Sequence, residues 1–364
     1  MRLALVTRAY GNGDGVLGRH VQAIATEVAG QGGTVDVLLQ SPTRSPLPEE
    51  QGRISVRSFP ALIPGSQRAV SGALVSHLRG HARDFDLVHA HGESMLPALL
   101  MSRRQPRHLI FTPHYYASAQ PHLRHMVQGR HHHIDRQILL DADRVLCVSD
   151  AEALQVQRYA PLASVCIVPN GFETAEIAAA RPLVVQDRVI LSVDRLTRWA
   201  GIQRLISALP ALPESYRLVV IGSGRARGML EAHADYLGVW ERVLFLGKVS
   251  DHELYRWMHT ASVVVTLKEE SLWAGTLLTA ACAGTPVLAS DISVCREAAE
   301  LAEVRGIEFV SRQASPFVVA EAIERLIDAG EASNGGHVPT WREMAERTTS
   351  IYREVLDDRS EAAE

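Results

Sequence analysis

The chain has 364 residues, of which 46% are hydrophobic and 21% charged, and its formal net charge is −4. That length exceeds one ordinary hydrophobic core, so two domains are expected of a globular protein. The slightly acidic balance excludes a general affinity for nucleic acid, and no apolar run reaches membrane-spanning length.

Met1–Val6 leads into a first strand, Leu3–Thr7, and does not read as a signal peptide. A glycine-rich stretch, Gly11–Gly18, follows, then a helix through Val21–Ala29. Strand, glycine-rich loop and helix let backbone approach a bound anion or sugar. The glycine spacing is not a clean dinucleotide fingerprint, so a Rossmann cofactor is only weakly indicated. Val35–Leu39 and Ile54–Ser58 are strands, with a surface loop at Ser41–Gln51 between them. A helix is expected at about Ala69–Arg79. Asp86–Gly92 then reads as a buried strand with a polar end, followed by a helix over Glu93–Met101. Leu109–Tyr116 repeats the pattern of strand, then polar and aromatic groups. Seven histidines fall within His108–His133 without a convincing ligand pattern, so the stretch reads as a solvated basic helix start. Arg144–Val148 is a strand, Ser149 caps a helix over Ala151–Tyr159, and Val165–Val168 ends in the turn Pro169-Asn170-Gly171.

Thr174–Pro182 is alanine-rich and reads as a linker, after which the alternation restarts. Val189–Val193 and Arg217–Ile221 are strands, the second running into Gly222-Ser223-Gly224. Val243–Leu246 is another, before a helix capped by Ser250 with Glu253 in a capping box. Ala261–Asp291 is the most informative segment. Val263–Leu267 is a buried strand, Gly275–Cys282 a helix of small residues, and Val287–Ala289 a further strand. The loop Lys268–Gly275 carries charge and an aromatic at the carboxyl end of a strand, where open α/β sheets bind ligands. The following helix start suits a phosphate. The last helix, from Thr340-Trp341, sets Met344, Ile351, Tyr352 and Val355 on one face and needs a surface to lie on. Repeated βα units predict parallel sheets with right-handed crossovers. The fold class is therefore α/β, with two Rossmann-like doubly wound domains facing a cleft. The expected spans are 1–173 for the first domain, 183–338 for the second, and 339–364 for a helix returning to the first. The four cysteines, Cys147, Cys166, Cys282 and Cys295, lack metal-like spacing and read as buried free thiols of a reducing cytosol.

The order of motifs resembles the retaining glycosyltransferases of family 4, with the GT-B fold. In the first half the matching residues are Gly11–Gly18 with Arg19-His20-Val21, Asp86–His91, Thr112-Pro113-His114, Ala142–Val145 and Val168–Gly171. In the second half they are Arg195-Leu196 with Gly201, Val220–Gly224, Phe245–Ser250, Ala283–Val287 and Thr340-Trp341. The resemblance implies a metal-independent cytoplasmic enzyme that moves a sugar from a nucleotide-diphosphate sugar to a small-molecule acceptor. It implies no cofactor beyond that donor, no nucleic-acid partner and no integral membrane segment, and leaves a homodimer open. By the same resemblance Arg195 neutralises the leaving phosphate and His114 contacts the donor sugar, so these two are the expected catalytic residues. Gly15, Gly222, Gly247, Lys248, Val249, Gly275, Thr276 and Glu297 fall at donor-site positions, and Asn12, His91 and Tyr115 on the acceptor side.

The departures are informative. The family's lysine before Gly201 is Ala200, and its paired glutamates fall on Ser271 and Thr279. Losing the lysine removes a charge-assisted contact of roughly 1.5–3 kcal/mol. Arg198 and Lys268 are the local substitutes, while Ser271 and Thr279 keep only neutral hydroxyls. An unusual donor or acceptor, as in specialised or antibiotic metabolism, accounts for such changes. The rival expectation is an inactive relative serving as a sugar-binding or partner subunit. An epimerase or phosphorylase is the weaker third. His89 and His91 are left open between core and site, and Trp273 between stacking on a ligand and filling its loop.

Overall fold

Runs of β-branched and apolar residues become strands buried on both faces, separated by helices along the chain. The computed structural model describes residues 1–11, 14–41, 49–60, 71–92, 106–114, 132–330 and 336–361. In chain order the first elements are β1 (Arg2–Thr7), α1 (Gly15–Gly30), β2 (Thr34–Ser41), β3 (Glu49–Gln51), β4 (Ile54–Pro60), α2 (Gly72–His81), β5 (Leu87–His91), β6 (Leu109–Thr112), α3 (His132–Asp141), β7 (Arg144–Cys147), α4 (Asp150–Tyr159) and β8 (Val165–Ile167). Then come α5 (Thr174–Ala179), β9 (Arg188–Val193), α6 (Ile202–Ala208), β10 (Tyr216–Ile221), α7 (Arg227–Tyr236), β11 (Val243–Gly247) and α8 (Asp251–Thr260). The chain ends with β12 (Val263–Thr266), α9 (Gly275–Cys282), β13 (Val287–Ser290), α10 (Ser293–Leu301), β14 (Ile307–Val310), α11 (Pro316–Ala329) and α12 (Trp341–Glu361).

Two compact units result: Met1–Gly171 with Pro339–Glu364, and Phe172–Val338. The chain divides at Gly171, ahead of the alanine-rich segment expected to be a linker. That segment is helical because Ile177 finds somewhere to bury, with α5 packed on α8 and α9. The ring of His259 also bonds the Ile177 carbonyl at 2.7 Å.

The first unit has one eight-stranded sheet in the order β3-β4-β2-β1-β5-β6-β7-β8. Every pair is parallel except β3 with β4, so the expected loop at 41–51 ends in a short antiparallel edge strand. Residues 42–48, the helix expected over 93–101, and Tyr115 and Asn12 lie outside the described residues. So does most of the histidine-rich stretch. Helix α1 begins at Gly15, well before Val21, so the second half of the glycine-rich segment is helical. Helix α2 is the one expected near 69–79, shifted to start after Ser71, whose Oγ accepts the Leu74 N–H at 3.3 Å. Leu3 and Leu5 of β1 share a core with Val21, Ile24 and Val28 of α1 and with Met344, Ile351, Tyr352 and Val355 of α12. The final helix therefore buries its apolar face in the first unit. A capping box fixes its start: Thr340 Oγ1 accepts the Glu343 N–H at 3.2 Å, and Glu343 Oε2 accepts the Thr340 N–H at 2.7 Å.

The second unit has a six-stranded, wholly parallel sheet in the order β11-β10-β9-β12-β13-β14. Ile190, Val220, Val263 and Val265 pack on Leu205, Ile206, Val319 and Ile323 from the helices. Ser250 caps α8, its Oγ accepting the Glu253 N–H at 3.2 Å. Each sheet is doubly wound. The strand order reverses beside β1 in the first and beside β9 in the second, which opens a crevice at the carboxyl ends of β1 and β5, and of β9 and β12. Among the described residues no helix is long and apolar enough to cross a membrane. All four cysteines are free; Cys147 and Cys295 are buried, and Cys166 and Cys282 half-buried.

Candidate functional site

The switch point of the second unit is built from three loops that lie backbone to backbone. Gly222 has φ +132° and Gly201 φ +73°. A Cβ on Gly222 would collide with the Asp194 carbonyl, and one on Gly201 with the Leu267 carbonyl. Glycine is therefore required where the loop after β9 meets those after β10 and β12. The Gly222 N–H donates to the Gly247 carbonyl at 2.7 Å, which ties in the end of β11. Asp194 organises the cations here. Its Oδ1 accepts the Arg195 N–H at 2.7 Å, and its Oδ2 pairs with Lys268 Nζ at 3.2 Å across the switch. The Arg195 side chain is exposed and has no partner among the described residues. Arg198 is exposed and stacks over Trp199 at 4.4 Å; Lys248 is exposed and Val249 half-buried after β11.

Ala200 is buried, so nothing charged occupies the family's lysine position. Lys268 stands close by, since the next N–H along, that of Glu269, donates to the Trp199 carbonyl at 3.1 Å. Helix α9 starts at Gly275 with no side-chain cap. Thr276 Oγ1 donates to the Val193 carbonyl at 3.1 Å and pins this helix start to the end of β9. The two hydroxyls standing in for carboxylates are already engaged. Ser271 Oγ donates to the Trp273 carbonyl at 2.8 Å, and Thr279 Oγ1 to the Gly275 carbonyl at 2.9 Å. Each keeps only lone pairs for a ligand. Trp273 stacks on Phe172 with centroids 5.6 Å apart, and a Cβ on Gly275 would lie 2.5 Å from its Nε1. The indole therefore fills its loop beside Gly275. Glu297 is half-buried on α10.

The first unit's switch point has a different chemistry. His91 ends β5, His114 follows β6 and His20 comes from α1, and all three are buried. His114 is one of two described non-glycine residues with positive φ, at 50°. Asn170 Oδ1 accepts from His20 Nδ1 at 2.8 Å, which fixes the proton on that nitrogen and leaves Nε2 as a bare lone pair. His91 Nδ1 is 3.2 Å from His114 Nε2. The Nε2 atoms of His20 and His91 are buried without a partner. Burial holds all three rings neutral at pH 7, pushing His20 down to about 4 and His91 and His114 well below the ordinary histidine range. One nitrogen from each ring lies within 4.8 Å of the others, a spacing at which a metal could be held. His89 lies against this group, its ring centroid 3.9 Å from that of His91. Its Nδ1 bonds the Tyr352 hydroxyl at 2.6 Å and its Nε2 the Thr112 hydroxyl at 2.7 Å, so His89 is a satisfied core residue. Gly15 opens α1 with nothing within 4 Å of its Cβ position.

The structure thus gathers Arg195, Lys268, Gly222, Gly247, Gly275 and Thr276 in one unit and His91 with His114 in the other. Sequence reasoning had no role for Asp194, Asn170 or the His20 ring. For His20 a signal exists: it shares the buried face of α1 with Ile24, four residues on.

Residues 17–176 match the family described as Glycosyltransferase Family 4, and residues 173–335 that described as Glycosyl transferases group 1. The uncharacterized glycosyltransferase MJ1607 of Methanocaldococcus jannaschii is 31% identical over 49% of this chain and 48% of its own length. A D-inositol 3-phosphate glycosyltransferase of Corynebacterium urealyticum is 26% identical over 80% of this chain and 77% of its own. Among solved structures, sucrose-phosphate synthase of Thermosynechococcus elongatus superposes with TM-score 0.75 at 17% identity, over 98% of this chain and all of that one. HepE of Anabaena, solved with UDP-glucose, gives 0.69 at 18% identity, over 99% of this chain and all of its own. The fold is that of a two-domain sugar-transferring enzyme. Together the two family matches run from residue 17 to residue 335 and support a glycosyltransferase of the family 4 type, and the solved structures show the GT-B fold.

Proposed function

We propose that this enzyme transfers a sugar, with retention, from a nucleotide-diphosphate sugar to a small-molecule acceptor. The second unit binds the donor. The observation that carries the reading is the exposed Arg195 at the switch point, next in sequence to Asp194 of the Lys268–Asp194 pair and without a side-chain partner among the described residues. A departing diphosphate needs fixed cations and peptide N–H donors where its charge develops. Arg195 supplies the guanidinium, and Lys268 lies beside Ala200, where the family's lysine is missing. The first N–H groups of α9 supply further donors. HepE was solved with UDP-glucose, which makes that compound the first donor to try. The engaged hydroxyls of Ser271 and Thr279 fit a donor or acceptor unlike the family's usual ones, as specialised metabolism uses.

The test is calorimetric titration with UDP, GDP and ADP, followed by transfer assays with the sugar derivatives of whichever nucleotide binds. Binding that is lost in Arg195→Ala supports the reading. Binding that does not depend on Arg195 overturns the assigned role. The missing lysine and carboxylates favour a second reading, an inactive sugar-binding relative. Nucleotide binding with neither transfer nor donor hydrolysis would select it.

A further inference from the structure

We propose that the first unit holds one divalent transition ion of the zinc class on His20, His91 and His114. Three imidazoles from three separate elements converge at the switch point of the first sheet, and all are buried. His91 Nδ1 and His114 Nε2 are 3.2 Å apart. Two nitrogens bound at about 2.1 Å to a tetrahedral ion are separated by about 3.4 Å. The third ring has a nitrogen within 4.8 Å of the others, so a small inward shift completes three sides of a tetrahedron.

The protein has also set up the ring of His20 as such a site requires. Asn170 Oδ1 accepts the hydrogen bond of His20 Nδ1–H at 2.8 Å, which leaves the lone pair on Nε2. Ligating histidines are oriented by a second hydrogen bond of this kind. Without an ion the buried Nε2 of His20 goes unsatisfied, and such a vacancy is costly. An ion accounts for the His20 lone pair and draws the rings together. His89 stays outside the ligand set because Tyr352 and Thr112 occupy both its nitrogens. Three neutral nitrogen donors without a carboxylate select zinc, cobalt, nickel or copper over magnesium or calcium. The fourth position is left for water or an exogenous group. Rings already neutral at pH 7 need release no proton on binding.

Cobalt(II) is the probe, because its visible absorption reports tetrahedral coordination directly. Chelator-treated full-length protein titrated with cobalt should take up one equivalent, develop that absorption and melt at higher temperature, while magnesium does nothing. His20→Gln and His91→Gln, checked for fold by circular dichroism, should each lose the signal. Replacing His131, His132 and His133 with alanine should leave it intact. Asn170→Leu should weaken binding by about 10–100-fold. If His20→Gln does not fold, His91→Gln and Asn170→Leu decide the matter. No stoichiometric cobalt in the wild type, or the same spectrum and affinity in the folded variants, overturns the proposal. No sugar donor enters these measurements, so their outcome is independent of whether transfer is found.

Discussion

Acidifying the protein from pH 7.5 to 5.0 should destabilise the first unit through its buried histidines, and the size of the effect follows from their burial. The His20 ring is held at about 4 in the folded chain against 6.5 when exposed, because desolvation of the cation outweighs the Asn170 bond. The native state refuses a proton that the unfolded chain accepts. Stability is therefore complete above pH 6.5 and is lost as pH falls from there toward 4. At pH 5 the difference for His20 alone is about 2 kcal/mol. His89, His91 and His114 shift in the same direction and add to the loss, as a coupled group. The assay is calorimetric melting in chelator at pH 7.5, 6.5, 5.5 and 5.0, for wild type and His20→Gln. The wild type should lose about 2 kcal/mol more than the variant between the extremes, or roughly 4–8 °C in the melting temperature of a unit this size. Parallel curves for the two proteins would refute the burial argument.

Three other outcomes are expected. Arg195→Ala should lower transfer at least ~10-fold by removing stabilisation of the leaving group. Its stability should stay within about 0.5 kcal/mol of wild type, since the side chain is exposed, so unchanged kinetics would refute the role. Gly222→Ala should destabilise the second unit by at least about 1–3 kcal/mol, because φ is +132° and the new methyl meets the Asp194 carbonyl; urea unfolding measures it. Tyr352→Phe should cost about 1–3 kcal/mol by stranding His89 Nδ1, and a melt indistinguishable from wild type would show that nitrogen satisfied elsewhere.

Much of this molecule is legible before any coordinates. Val263–Thr266 is buried on both faces because its three consecutive valines offer no polar side to water, and that run predicts a central parallel strand. Met344, Tyr352 and Val355 announce a docked final helix through their spacing. That residues 174–179 form a helix and not a linker is not legible, because α5 is short and acquires its place only from α8 and α9. Nor is the fate of Ser271 and Thr279. Composition says that hydroxyls replace carboxylates, but only geometry shows them bonded to their own backbone. The histidine cluster joins residues 20, 91, 114 and 170, separations at which sequence carries no contact information without the sheet order.

One topology is used twice here, with opposite chemistry. Both sheets reverse direction beside their first strand, and both place polar side chains at the crevice this opens. In the second unit the crevice presents the exposed Arg195, the half-buried Lys268 held by Asp194, and the start of α9, which has no side-chain cap. Such a site rewards negative charge. In the first unit the crevice presents imidazoles that burial keeps neutral, His20 held by an amide and edge-on to His91 and His114, which stack on each other. Such a site rejects net charge from a proton but offers lone pairs to a Lewis acid or to a hydroxyl donor. The fold sets where each crevice opens, and the desolvation of His20, His91 and His114 against the solvation of Arg195 sets which charge each crevice favours.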